Sequence, residues 1–179
     1  MSKFGTTRPT SVVELVTNLG LLAEHQAAND ELAHLNRTQS AADRMNNPYS
    51  KEIRAAAKKV QDIEKQMEES TVCIKLQALK RAEYAEITAK HPPREDNDVD
   101  SALGFNTDTF GEEVIPRSIV AAWWKSTKEK IDFTGDDWEA ESAEITDAQY
   151  ADFSTAVLNL NQRATSVPFS RDASAVSRS

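Results

Sequence analysis

Apolar residues recur every three or four positions along much of this chain, the period of a helix with one buried face. Val12, Leu15, Val16, Leu19 and Leu22 follow Thr10 and Ser11, either of which can cap a helix, and the pattern runs on more weakly to Leu32 and Leu35. The stretch 36–50 is polar, contains Asn46-Asn47-Pro48 and predicts a loop. From Lys51 to Glu69, residues Ile53, Ala56, Val60, Ile63 and Met67 alternate steps of three and four, a coiled-coil type of seam flanked by Lys, Arg and Glu. The first 70 residues therefore predict a long helical hairpin along a narrow seam, closed either within one chain or between copies in a homo-oligomer.

The period changes at Val72, Ile74 and Leu76, which alternate with other residues and fit a short strand or one buried helical turn. Residues 77–90 predict a helix with Leu79, Tyr84 and Ile87 on one side, ended by His91-Pro92-Pro93. The pattern of 92–112 reads as loop with Val99, Leu103, Phe105 and Phe110 as its apolar residues, and a short helix near Pro116 carries Val114, Ile115, Ile119 and Val120 up to Trp123-Trp124. Residues 125–145 read as a charged loop anchored by Phe133 and Trp138. Thr146-Asp147-Ala148-Gln149 is a capping-box pattern opening a helix with Tyr150, Phe153, Val157, Leu160 and Ala164 at core spacing. The expected architecture is mainly α, with at most one short strand: a helical hairpin over 1–70, a small helical domain with acidic loops over 71–165, and a disordered Ser/Ala-rich tail over 166–179.

Composition supports helix over turn-rich folds. Among 179 residues there are five glycines and none between Gly20 and Gly104, which leaves neither the turns of a β-sandwich nor a glycine-rich phosphate loop in that interval. The net charge is −8, and it is unevenly placed: residues 1–91 carry 13 basic and 12 acidic side chains, whereas 92–179 carry 8 and 17. Acidic runs at Glu95–Asp100 and Asp132–Asp152 repel a phosphate backbone, so nucleic acid is not an expected partner. They read as solvated loops or as docking sites for a basic partner. No run of apolar residues is long enough to span a bilayer, and the start of the chain lacks an apolar signal segment, so neither a membrane nor secretion is expected.

Converging catalytic groups are not apparent. His25, His34 and His91 lack metal-binding spacing, and His25 and His34 fall on opposite sides of one helix. Asp96-x-Asp98-x-Asp100 begins like a calcium loop, but Ser101 and Thr107 stand where Gly and a bidentate Glu are wanted. The single cysteine, Cys73, excludes an internal disulfide and sits in an apolar alternation, as a buried small hydrophobe does. Trp123-Trp124 reads as core packing or as a binding anchor. A small hydrolase is disfavoured, no catalytic residue, cofactor or metal is assigned, and an interaction protein remains. Its candidate partner-binding residues are Leu15, Leu19, Leu22, Val60, Ile63, Met67, Trp123 and Trp124.

The order of several short motifs adds to this. The run Leu79-Lys80-Arg81-Ala82-Glu83-Tyr84-Ala85-Glu86-Ile87, then His91-Pro92-Pro93-Arg94, an acidic gap, Gly104-Phe105-Asn106 and Phe110 resembles tail assembly chaperones of long non-contractile-tailed bacteriophages, especially those of actinobacterial hosts. Ile145 to Tyr150, Leu160-Asn161 and Val167-Pro168-Phe169-Ser170 also resemble that family's closing segment, and the likeness covers roughly 50–171. Tyr84 stands where Trp is expected, and the acidic insert over 125–145 is longer than the pattern requires. The resemblance implies a non-enzymatic protein of the host bacterial cytoplasm that binds the helical tape measure protein before the tail tube polymerises. It also implies a longer frameshifted form that recruits the tail tube protein. A structural tail or head-tail component retained in the virion is the alternative.

Overall fold

The computed structural model describes residues 3–39 and 49–163. The proposed hairpin loop at Asn46-Asn47-Pro48 and the closing Val167-Pro168-Phe169 segment, with the tail that follows it, lie outside the described residues.

Four antiparallel strands, β1 (Thr10–Val16), β2 (Thr71–Gln77), β3 (Ile119–Trp124) and β4 (Lys130–Ile131), form one sheet in the order β1-β2-β3-β4. The expectation of a mainly helical chain, a hairpin followed by a small helical domain with at most one strand, is overturned by this sheet. Two stretches account for the difference. Val12, Leu15 and Val16 fit a helical stripe, but the same stretch also alternates, and Val13 and Leu15 turn into the core while Val12 and Glu14 stay exposed. Three β-branched valines favour the extended form once β2 pairs beside them. Likewise Ile119–Trp124 is strand rather than the end of the preceding helix, with Ala122 inward and Val120 exposed.

Two helices are inserted between β1 and β2. Helix α1 (Gly20–Thr38) and helix α2 (Lys51–Glu69) lie against each other as an arm, and α2 has the bounds its seam predicts. Leu21 and Ala28 meet Val60 and Ile63 in a small cluster of their own, with Leu32 and Met67 packed beside it. Ser50 caps α2 by accepting from the Ile53 amide at 3.3 Å. The arm's base is closed where the Thr17 amide and hydroxyl both donate to the Ser70 carbonyl, each at 2.8 Å.

The other helices cover one face of the sheet. They are α3 (Arg81–Lys90), α4 (Asp98–Leu103), α5 (Thr107–Ser118), α6 (Trp138–Ser142) and α7 (Asp147–Gln162), with a 3-10 turn at Gly135–Asp137. Residues 92–112 and 125–145, expected as loops, thus hold α4, the start of α5, β4, the 3-10 turn and α6. Phe153, Val157, Ile115, Val114 and Ile87 bury almost completely against Ile74 and Leu76 of β2, and Trp138 is buried at the same core. The Thr146 capping box is formed: the Gln149 amide donates to Thr146 Oγ1 at 3.3 Å, and Gln149 Oε1 accepts from the Thr146 amide at 3.1 Å. Gly111 lets α5 approach α7, because a Cβ there would run into the Tyr150 hydroxyl.

Candidate functional site

The motif residues Tyr84 to Phe110 come together at one corner of the helical layer. Phe105 stacks on Phe110 with centroids 3.9 Å apart, and Tyr84 and His91 meet Phe110 edge-on at 5.6 and 6.2 Å. The Asn106 amide donates to the His91 carbonyl at 2.8 Å, which ties the end of α3 to the start of α5. Gly104 ends α4 in the left-handed conformation at φ 83°, a position where a side chain is strained. Asn106 then caps α5 by accepting from the Asp108 amide at 3.0 Å. Pro92 and Pro93 are exposed and keep α3 from continuing.

Beneath them lies an ion pair whose acidic partner is buried. Asp100 has no exposed surface, and its carboxylate receives Arg94 through Nε at 2.6 Å and Nη2 at 3.0 Å, a two-pronged contact. The Arg94 amide (3.2 Å), the Thr107 amide (3.1 Å) and the Thr107 hydroxyl (2.8 Å) also donate to it. The bonds from Arg94, then those from Thr107, hold the carboxyl well below its ordinary range against the opposing effect of burial. Arg94 also pairs with Asp108. This is where the apparent calcium motif leads: Asp100 turns inward to a guanidinium, and Asn97 caps α4 through the Asp100 amide at 3.0 Å. Among the described residues no group of His, Cys, Asp and Glu is arranged to hold a metal ion.

A second polar set borders the first. Glu113 accepts from Lys90 at 3.1 Å, meets His91 Nε2 at 3.1 Å and accepts from Arg117 at 2.7 Å, while His91 Nδ1 meets the Thr109 hydroxyl at 2.8 Å. Lys90 and then His91 hold the Glu113 carboxyl below its usual value. Beyond Glu113 opens a cleft of about 1100 Å³ between α5 and the segment from Thr134 to Tyr150. Asp108, Glu112, Glu113, Asp136, Glu139 and Asp147 line it, and Arg117 is the one basic residue among the described residues that do. The cleft joins the acids of α5 to acids of the Asp132–Asp152 run.

The candidate partner residues divide into two groups. Leu15, Val60 and Ile63 are buried, Leu15 in the core beneath the sheet and the others in the arm's seam. Leu22 is exposed, and Leu19, Met67, Trp123 and Trp124 are half-buried. In the chain these positions flank the arm's base: Leu19 and Leu22 open α1, Met67 closes α2, and Trp124 pairs with Val72 at the start of β2. The Thr71 hydroxyl donates to the Met67 carbonyl at 2.6 Å at this junction.

The Trp pair straddles β3. Trp123 pairs with Cys73 on the face away from the helices, where Lys125 reaches Glu14 at 2.6 Å. Cys73 is buried there, and burial, then Glu14, pushes its thiol above the ordinary range, away from the thiolate a nucleophile requires. The junction was missed as a unit because its residues come from three separate parts of the chain. The hint was Val13-x-Leu15, an apolar alternation that falls opposite Ile74 and Val72 of the longer alternation Val72-x-Ile74-x-Leu76.

Comparison with protein-family models, curated proteins and solved structures finds no match for this chain.

Proposed function

We propose that this chain is a non-enzymatic assembly factor, a tail assembly chaperone of a long-tailed bacteriophage. It binds the tape measure protein in the host bacterial cytoplasm and supports tail tube assembly, with a longer frameshifted form engaging the tail tube protein. The observation that carries the reading is the use made of the motif residues. His91, Arg94 and Asp100 spend their polar groups on one another's neighbours Thr107, Thr109 and Glu113, and Tyr84, Phe105 and Phe110 pack together. A motif of this kind specifies a shape. The apolar residues at the arm's base then supply a place for a helical client: a long helix with an apolar stripe can lie across Leu22 and Met67 while the arm's charged flanks keep the complex soluble.

Co-expression with the tape measure protein of the same genome tests this. The client is expected to move into the soluble fraction and to co-purify with the chain, and the chain is expected to be missing from purified virions by mass spectrometry. Leu22→Asp is expected to lose the client while its circular dichroism stays unchanged, because Leu22 is already exposed. A client that stays insoluble beside the unmodified chain overturns the proposal, and a fixed copy number in virions replaces it with a structural tail role.

A further inference from the structure

We propose that the chain forms a twofold dimer by pairing β1 of one copy with β1 of another, and this does not rest on the assembly role. The hydrogen-bond parity of β1 follows from its two ends. The Ala78 amide donates to the Pro9 carbonyl, and the Thr17 amide donates to the Ser70 carbonyl. In an antiparallel pair, residues that exchange bonds recur every second position. Ser11, Val13 and Leu15 therefore bond to β2, while Thr10, Val12, Glu14 and Val16 turn their main-chain groups away from the sheet. Val16 corroborates the parity, because its carbonyl accepts from Gln149 Nε2 at 2.9 Å at that outer edge.

Gln149 thereby ends the free edge at one side and leaves Thr10, Val12 and Glu14 open. All three are exposed, and no described residue bonds their main-chain groups. The opposite edge is the two-residue β4, too short to template another strand. An open edge of this length takes an added strand, and its own sequence fits it. With Val12 opposite Val12, Thr10 falls opposite Glu14 at both ends, so every outward amide and carbonyl of the three residues has a partner and no two like charges meet. Sliding one strand by two residues sets Thr10 opposite Val16, whose carbonyl Gln149 already occupies, and sliding it by four places Glu14 on Glu14, which is repulsive. The pairing is isologous, as a closed twofold dimer requires. Because Val13 and Leu15 face the helices, Val12 lies on the uncovered face, where its 46% exposure is reduced by the second Val12. The result is one continuous eight-stranded sheet.

Sedimentation and amide exchange on the purified full chain test the pairing. A monomer–dimer equilibrium is expected as concentration rises. The amides of Val12 and Glu14 should slow with it, whereas those of Val13 and Leu15 stay protected throughout. Val12→Pro removes an outward donor and no ladder bond, so the variant is expected to keep the wild-type circular dichroism and remain monomeric. Val12→Cys is expected to form a disulfide-linked dimer on mild oxidation, which provides a readout that does not depend on the proline variant folding. A chain that stays monomeric at every concentration with an unprotected Val12 amide overturns the proposal. So does a dimer that survives Val12→Pro. A chain that adds a strand only from another protein is monomeric when pure and counts against it equally.

Discussion

The arm and the body of this molecule are held together in different ways. The arm buries a single line of side chains between two helices, Leu21 and Ala28 against Val60 and Ile63, with the Lys59–Glu31 ion pair and a His25–Glu64 hydrogen bond bridging outside it. The body buries a sheet face beneath a helical layer, and its core draws residues from all four strands and from helices far apart in sequence. Exposed bridges of the kind seen in the arm contribute little, so its stability rests on a few apolar contacts. A two-helix unit with so narrow a seam opens at lower free energy than the core it is attached to.

The largest expected effect is on the body. Phe153→Ala empties the centre of the core and is expected to cost about 3–5 kcal/mol in urea unfolding, with loss of the whole structure. The matched change in the arm, Ile63→Ala, is expected to cost about 2 kcal/mol and to be read differently. Hydrogen exchange should show α1 and α2 losing protection while β2 and α7 keep theirs. Equal loss in both regions would erase the distinction drawn here.

Gly111→Ala probes the closest approach within the body. The added methyl meets the Tyr150 hydroxyl, and the expected cost is about 1–3 kcal/mol. Tyr150→Phe in the same chain is expected to recover part of it, which a double-mutant cycle measures.

A smaller difference separates the regions in acid. Asp100 titrates below its ordinary range when folded, so its contribution is complete above the unfolded value of about 3.9 and is lost as the pH falls from there toward the folded value. The unfolded chain takes up the proton first. Asp100→Asn should therefore flatten the stability of the body against pH below that range and leave exchange from the arm unchanged.

The two regions also differ in how far they can be read from sequence. Helix α2, the end of α3 at His91 and the Thr146 cap are local signals, each decided within a few residues, and each is where its pattern places it. The strands depend on partners. Val12 to Val16 satisfies both periods, and only β2, some sixty residues away, selects one of them. Ile119 to Trp124 continues the apolar run of α5, and nothing within that run marks Ser118 as the last helical residue. Pro116 costs α5 an amide donor in its last turn, yet the helix runs two residues past it, so it is no guide to the boundary. The site was legible in parts. The aromatic and proline motif residues could be named individually, but the burial of Asp100 under Arg94 depends on Gly104 turning the chain back toward Thr107, a tertiary outcome.

The closed base of the arm also bears on how quickly the sheet can form. Thr17 and Ser70 are 53 positions apart, and bringing such distant residues together is ordinarily a slow step dominated by lost chain entropy. Helices form far faster than strands pair at that separation. Once α1 and α2 lie side by side, both ends of the insertion are delivered to the same place, and β1 meets β2 as though joined by a short turn. A preformed arm is in this sense a splint, turning the most distant strand pairing among the described residues into a local one.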